Sequence, residues 1–396
     1  MTVELLGVEG ALVQGAVVPG DVAIDGETVV EVGVRSSSGG TGIACPGFVD
    51  LQVNGFAGVD FLAADAGGYR RARRALAATG VTAFQPTLIS SPPEVYEQAL
   101  AAVEDAQREA GPRILGAHLE GPFLSPRWKG AHDERHIVDP DLRLAARLWM
   151  AGPVSYMTIA PERPGAGELL AWLLAHDVVV SLGHTDADAA TAHAAYNRGA
   201  GGVTHLFNAQ RRFTARDPGI SGVALTRAGV SVGVIADFVH LAPETVLATW
   251  RACGPRMVLV TDAIAATGCG DGRFRLGDRV VHVSDGAARL ADGTLAGSVL
   301  TLDRAVRNLV GLGVAWEAAV GAVTAAPARA LGRADLGVLR PGGPADIAVL
   351  DRDLSVRRTL VGGTEVWPAT AVDAARRPDG GRDNEGARPA PPDSAE

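Results

Sequence analysis

The chain has 396 residues, of which 47% are hydrophobic and 20% charged, and its formal net charge at pH 7 is −9. This length exceeds one ordinary domain of ~100–150 residues, but it fits a (β/α)8 barrel of ~250 residues with a smaller second domain. The acidic balance, without any basic block, argues against a nucleic-acid partner, because such binding depends on neutralising phosphates. No apolar run reaches the ~20 residues of a membrane helix, so we expect no membrane partner.

The cysteine content indicates a reducing compartment. The chain has 3 cysteines, Cys45, Cys253 and Cys269, and their spacing fits neither a metal site nor a redox motif. An odd number also argues against a disulfide framework. The first basic residue is Arg35, so we expect no signal peptide and a cytoplasmic location.

Both ends of the chain are typical of β-structure. Residues 1–45 alternate short Val/Ile-rich pieces with glycine turns, and residues 333–368 repeat this pattern. We predict that the two segments form one small β domain. Residues 369–396 are dominated by Pro, Gly and charged residues without apolar periodicity, which predicts a disordered tail of unknown role.

The middle of the chain, residues 46–332, alternates short apolar runs with Ala-rich amphipathic stretches. Eight such βα repeats predict an α/β protein with a closed parallel barrel, the (β/α)8 TIM barrel. An open doubly wound sheet is the alternative, but no GxGxxG follows the first run, which weakens a dinucleotide-binding interpretation. The runs are FVDLQV, VTAFQPTLI, RILGAHLE, VSYMTIA, DVVVSLGH, GVTHLFNA, VSVGVIAD and RMVLVTDA.

Polar residues cluster at the C-terminal ends of these runs, where barrel active sites lie. Glu120 ends the third run, His184 the fifth, and His205 lies in the sixth. Two imidazoles and a carboxylate leave an open coordination position, as in catalytic zinc sites, although other divalent ions accept the same ligands. The alternative is that each histidine is only a hydrogen-bonded residue at a strand end.

Four further residues have both a functional and an ordinary interpretation. Asp262, at the end of the eighth run, is either a general base for a water molecule or a helix N-cap. His132 is either a polarising donor above the site or a surface residue. Arg216 could bind an anion, since guanidinium pairs well with phosphate or carboxylate, or it is one loop arginine among many. Lys129 is either functional or a solvated loop lysine.

The motifs, taken in order, resemble the N-acetylglucosamine-6-phosphate deacetylases of the amidohydrolase superfamily. Each motif alone is weak, but their common order is specific, and together they cover most of the chain outside the tail. The matching segments are PGFVDLQVNG (46–55), HLEGPF (118–123), KGAH (129–132), SLGHT (181–185), THLFNA (204–209), RDPG (216–219), IADFVH (235–240), VTDA (260–263), LAGS (295–298) and GPADIAVLD (343–351).

The resemblance implies a metal-dependent barrel with a small β-sandwich formed by both termini, assembled as a homodimer. It implies hydrolysis of the acetamide of N-acetyl-D-glucosamine 6-phosphate, a phosphorylated amino sugar, to D-glucosamine 6-phosphate and acetate. Asp262 would be the catalytic base and acid, and His132 would lie beside the acetamido group. The metal ligands would be Glu120, His184 and His205, and the substrate contacts would be Ala131, His132, Asn208, Ala209, Arg216 (phosphate), His240, Leu295, Ala296 and Gly297.

We expect one divalent metal ion per subunit, with zinc favoured over iron, cobalt, manganese or nickel. Many superfamily members hold a second metal with a first-strand HxH motif, which here is Gln52-Val53-Asn54, and amides are poor ligands compared with imidazole. Others bridge two metals with a carboxylated lysine on the fourth strand. Of the 36 basic residues only Lys129 is a lysine, and it follows the third run.

Two alternatives to this function remain at the level of sequence. Motifs around the metal cannot distinguish sugar epimers, so a deacetylase for N-acetylgalactosamine 6-phosphate, or another amidohydrolase, fits as well. A non-catalytic barrel scaffold fits poorly, because such a protein would have lost ligands or the base. The THLFNAM motif of many relatives ends in Gln210 here, which changes the wall near the sugar.

Overall fold

A computed structural model describes residues 3–35 and 39–368. The predicted disordered tail, residues 369–396, lies outside the described residues. No helix in these described ranges combines the length and apolar character needed to cross a membrane.

Six strands precede the barrel and alternate with tight turns, as the glycine pattern predicts. In the turn after the second strand, Gln14 and Gly15 have φ values of 49° and 82°, a left-handed pair that matches the twist of a two-residue hairpin. The strands are β1 (Glu4–Leu5), β2 (Gly10–Val13), β3 (Ala16–Pro19), β4 (Asp21–Asp25), β5 (Thr28–Val34) and β6 (Ile43–Pro46).

The central sheet contains the eight predicted strands in parallel. Along the sheet, β7 pairs with β10, and the order then runs β10, β12, β13, β14, β15, β16, β17, with β11 beside β10. A parallel bridge between Val53 and Ala263 brings the first and last strands together. The strands of this sheet are β7 (Phe48–Val53), β10 (Val81–Ile89), β11 (Arg113–Ile114), β12 (Ala117–Glu120), β13 (Val154–Ile159), β14 (Val179–Leu182), β15 (Gly202–Val203), β16 (Ser231–Val234) and β17 (Met257–Leu259). Between β7 and β10, strands β8 (Gly55–Phe56) and β9 (Val59–Asp60) form a separate antiparallel pair.

Helices between the strands cover the outside of the barrel. Several begin at an aspartate whose carboxylate accepts from the first-turn backbone, as Asp65 does from Gly68 N at 2.7 Å. They are α1 (Ala66–Ala77), α2 (Pro93–Gln107), α3 (Leu142–Met150), α4 (Ala166–Ala175), α5 (Ala189–Asn197), α6 (Gly219–Thr226), α7 (Pro243–Cys253), α8 (Leu302–Gly311), α9 (Trp316–Gly321) and α10 (Ala325–Ala330).

An antiparallel three-stranded sheet, absent from the sequence prediction, is inserted after the eighth barrel strand. It consists of β18 (Gly272–Leu276), β19 (Arg279–Ser284) and β20 (Ala287–Arg289). Its turn is anchored to the barrel, because Gly277 N donates to the partly buried Asp60 carboxylate at 2.7 Å. The insertion therefore stands at the C-terminal rim of the barrel.

Both termini contribute to the second β module. Strands β21 (Ile347–Leu350), β22 (Val356–Val361) and β23 (Thr364–Trp367) join a six-stranded sheet of order β23-β22-β21-β6-β2-β3. A second sheet has the order β1-β4-β5. Aliphatic side chains from both sheets, such as Val22, Val29, Ala44, Ile347 and Val349, form a separate buried cluster.

These observations confirm the predicted fold class, a (β/α)8 barrel with a small β-sandwich formed by both termini. One connection between the two parts is ionic: Arg113 Nε and an Nη atom donate to both carboxylate oxygens of Asp346 at 2.9 and 3.1 Å. The residue bounds proposed for the domains, with the barrel at 46–332, remain predictions.

Candidate active site

Three predicted metal ligands meet at the C-terminal rim of the barrel. Glu120 is the last residue of β12, while His184 and His205 follow the ends of β14 and β15. The Oε1 atom of Glu120 lies 3.1 Å from His184 Nε2 and 2.8 Å from His205 Nε2. All three side chains are buried, and their candidate ligand atoms lie within 4.8 Å of one another.

The protonation of His184 fits a bound cation. Its Nδ1 atom lies 2.9 Å from the backbone oxygen of Trp128. A carbonyl oxygen can only accept, so Nδ1 carries the proton and Nε2 presents a lone pair. Burial lowers the pKa of His184 to about 4, which keeps the ring neutral at pH 7.

The carboxylate opposite that lone pair is ionised. Burial alone would raise the pKa of Glu120, but the neighbouring imidazoles of His132 and His205 hold it well below its usual range. An anionic oxygen therefore faces an imidazole lone pair, and a divalent cation between them would relieve the repulsion. The donor set of one carboxylate and two imidazoles is the one that zinc-like catalytic ions accept.

Asp262 lies beside this group, on the segment that follows β17. Its Oδ1 atom accepts from Asn54 Nδ2 at 2.6 Å and from Gln52 Nε2 at 3.1 Å. Burial, and then the negative charge of Glu120, raise the pKa of Asp262 to about 6. Among the described residues Asp262 caps no helix, since the next helix, α8, begins at Leu302. Its carboxylate, with a pKa close to neutral pH, is therefore free to take part in proton transfer in the site.

His132 enters the site from the loop after β12. Its Nδ1 atom accepts from the backbone N–H of Ser90 at 3.2 Å and lies 3.0 Å from Ser90 Oγ. Because a backbone N–H can only donate, Nδ1 is unprotonated and the ring carries its proton on Nε2. That Nε2 is 3.7 Å from Glu120 Oε2, so an N–H donor points toward the ligand group.

The backbone around these side chains is unusual. His184, His205 and Asp262 have φ values of 47°, 29° and 50°. Left-handed φ is uncommon for residues other than glycine and concentrates at functional sites. Among the three expected ligands and the expected base, only Glu120 thus keeps regular strand geometry.

A cavity of about 250 Å³ opens at this point. The cavity wall contains the three expected ligands and the expected base, Glu120, His184, His205 and Asp262. Of the predicted substrate contacts, Ala131, His132, Asn208, Ala209, His240, Leu295 and Gly297 also line it. His240 is held by Asp237, with Nδ1 2.8 Å from a carboxylate oxygen.

Two predicted substrate contacts do not line this cavity. Ala296 is fully buried, and its backbone N–H donates to Ala288 O at 3.0 Å. Arg216 is exposed on the loop that precedes α6. Lys129 is also outside the cavity and pairs with Glu134 at 3.3 Å, which agrees with its interpretation as a solvated loop residue.

Several residues that line or support the cavity were not predicted from the sequence. Arg127 lines it and pairs with Asp186 at 2.8 Å, while Trp128 lines it and supplies the carbonyl for His184. Leu276, at the end of β18, forms another part of the wall. The loop motif around Lys129 could have drawn attention to Arg127 and Trp128, whereas Leu276 carries no polar signal at all.

The chain belongs to the amidohydrolase family, whose model matches residues 43–366. This confirms the superfamily predicted from the motifs, and with it a metal-dependent hydrolase. A human N-acetylglucosamine-6-phosphate deacetylase is 41% identical over 362 residues, covering 87% of each chain. An Escherichia coli O157:H7 N-acetylgalactosamine-6-phosphate deacetylase is 34% identical, covering 81% of this chain and 87% of the relative.

A solved structure is similar over nearly the same span. It is a mutant N-acetyl-D-glucosamine-6-phosphate deacetylase from Mycobacterium smegmatis in complex with N-acetyl-D-glucosamine 6-phosphate. Its TM-score is 0.87 at 36% identity, covering 92% of this chain and 100% of the other. The similarity therefore includes the barrel and the second β module.

Proposed function

We propose that this enzyme hydrolyses the acetamide of N-acetyl-D-glucosamine 6-phosphate to D-glucosamine 6-phosphate and acetate, in amino-sugar catabolism. The observation that carries this proposal is the convergence of Glu120, His184, His205 and Asp262 on one cavity wall. The human and the Escherichia coli relatives are both named as deacetylases of phosphorylated N-acetyl amino sugars. This chain is similar to them over most of its length.

Glu120, His184 and His205 would hold one divalent ion, with zinc favoured over iron, cobalt, manganese or nickel. When bound, such an ion polarises the acyl group as a Lewis acid and lowers the pKa of water, so that a nucleophile is available near neutral pH. Because Gln52 and Asn54 present amides where related enzymes have histidines, a single ion is expected. Metal analysis of the purified protein tests this, and a firm content of two ions would contradict it.

The chain's own residues provide the proton transfers. Asp262 accepts a proton from the attacking water as the new carbon–oxygen bond forms. It returns that proton to the amide nitrogen as the carbon–nitrogen bond breaks and the amine leaves. His132 donates its Nε2 proton in a hydrogen bond to the acyl oxygen, where negative charge develops.

Phosphate recognition has two cationic candidates, which a direct comparison of variants distinguishes. The sequence motifs assign this role to Arg216, and Arg127 is a second cationic candidate because it lines the cavity. Asn208, Ala209 and His240 would contact the sugar or its phosphate, together with the backbone of Leu295 to Gly297. We also propose a cytoplasmic homodimer, for which light scattering of the purified protein is the test of assembly.

Acetate release on addition of metal and N-acetyl-D-glucosamine 6-phosphate tests the function itself. A parallel assay with N-acetyl-D-galactosamine 6-phosphate determines which of the two sugar epimers the enzyme prefers. The second sugar is a specific alternative because the 34% identical Escherichia coli relative is named for it. No acetate from either sugar, in protein shown to contain metal, would refute the proposal.

A further inference from the structure

Two side-chain amides at the end of β7 connect the ligand group to the expected base. Gln52 Nε2 lies 3.1 Å from Glu120 Oε1 and also 3.1 Å from Asp262 Oδ1. Asn54 Nδ2 lies 2.6 Å from the same Asp262 oxygen. Carboxylate oxygens accept, so the amide nitrogens, rather than the amide oxygens, face them.

The environment makes these hydrogen bonds strong. Gln52, Asn54, Glu120 and Asp262 are all buried, with at most 7% of any of them exposed. Hydrogen bonds to an ionised acceptor exceed neutral ones, and low local polarity strengthens them further. The two hydrogens of the Gln52 amide also separate two buried carboxylates that would otherwise repel each other.

The amides are not needed to hold the main chain in place. Asp262 N donates to Gln52 O at 2.9 Å, Asn54 N donates to Ala263 O at 2.8 Å, and Ser298 N donates to Asp262 O at 2.8 Å. Backbone bonds therefore already join β7 to the segment after β17. What the two side chains add is control of the carboxylate orientation.

The bonding pattern is also asymmetric at the carboxylate. Both amides bind Asp262 Oδ1, while its Oδ2 atom has no hydrogen-bond partner among the described residues. Asp262 lines the cavity. One oxygen is thus held and the other remains available for a proton.

We propose that Gln52 and Asn54 are positioning residues, which fix Asp262 Oδ1 so that Oδ2 faces the reacting atoms. This role rests on the proposed function, in which Asp262 carries the proton between water and the leaving amine. In this role the amides act through Asp262; Gln52 lies outside the cavity lining, whereas Asn54 also lines the cavity.

The test uses variants that remove the donors at similar volume, Gln52→Met and Asn54→Leu. Each should lower kcat about 10- to 100-fold, with KM and metal content close to those of the wild type. Gln85→Met is the matched control, because Gln85 is another buried barrel glutamine that instead donates to Ser155 Oγ at 2.7 Å. It should leave kcat within about threefold of the wild type.

A double-mutant cycle distinguishes positioning from a general structural effect. If the amides act only through Asp262, then adding either substitution to Asp262→Asn should cost little further rate. Losses that multiply would overturn the proposal, as would a rise in KM at unchanged kcat. Acetate release by the wild type is the separate test of the function.

A crystal structure of the Asn54→Leu variant gives an answer that does not depend on the substrate. The Asp262 carboxylate should adopt a different rotamer while the backbone from 260 to 263 stays in place. An unchanged carboxylate would overturn the positioning role even if the enzyme acted on a different amide.

Discussion

The assignment of His132 as the donor to the acyl oxygen gives the sharpest prediction. The Ser90 backbone N–H at 3.2 Å sets the tautomer of the ring, and Nε2 keeps its proton 3.7 Å from Glu120. Replacing His132 with alanine removes that donor. Loss of one such donor costs ~10²–10³ in kcat, or about 2.7–4 kcal/mol of transition-state stabilisation.

Burial decides where in that range the His132→Ala variant should fall. Only 3% of His132 is exposed, so bulk water cannot readily replace its N–H as the donor to the acyl oxygen. We therefore expect a loss in kcat in the upper half of the ~10²–10³ range. The variant also leaves the Ser90 N–H without its partner, which should lower the free energy of unfolding by ~1–3 kcal/mol. A loss in kcat far beyond what partial unfolding explains is therefore the expected signature.

The assay is acetate release at saturating metal, with kcat and KM determined separately and folding checked by denaturant titration. His136→Ala is the control, because it removes a histidine of the same loop that does not line the cavity. Ser90→Ala should stay within about threefold of the wild type, since the backbone donor that sets the tautomer is retained. If His132→Ala kept kcat within about threefold of the wild type, the oxyanion role would be wrong.

Three further predictions concern other residues. Asp262→Asn should retain its metal but lose more activity than His132→Ala, and near-normal turnover would remove Asp262 as the base. Arg216→Ala should raise KM for the phosphorylated sugar far more than for the unphosphorylated one; equal effects would refute its phosphate role, and the same selective rise in Arg127→Gln would assign that role to Arg127. Burial raises the pKa of Asp50 to about 7, against opposing hydrogen bonds from Thr261 and Gln52, so the native state binds this proton more tightly than the unfolded chain. The carboxyl should therefore contribute stability at acidic pH that is lost as pH rises from about 4 through about 7, and denaturant titrations should find this slope weakened in Asp50→Asn.

Most of the fold could be predicted because its signal is local. The eight apolar runs lie where the eight barrel strands form, since strands covered on both faces require continuous apolar residues. The β18–β20 insertion was missed because its strands are short and mostly exposed, as in the Gly272–Leu276 pattern where only Leu276 is buried. Nothing in such a segment indicates that its turn donates a hydrogen bond to Asp60.

The candidate site divides in the same way. Barrel topology places all strand ends on one rim, so residue type and strand position alone suggested Glu120, His184, His205 and Asp262. From the sequence, Gln52 and Asn54 were interpreted only as poor metal ligands. Their hydrogen bonds to Asp262 form only in the folded chain, where β7 lies beside the segment after β17. Closure of a barrel joins residues more than 200 positions apart, and no local pattern encodes that register.

The sequence by itself therefore determined the chemistry available to this protein: its family, its barrel, and the types of side chain at the strand ends. Only the tertiary structure decided how single atoms face one another. The tautomers of His132 and His184 are set by a backbone N–H and a backbone carbonyl, each contributed by a different segment of the chain. Nearly every residue carries a backbone N–H and a backbone carbonyl, so the sequence does not indicate which of these groups will contact a given imidazole. That contact is fixed only when the folded chain brings the two groups together.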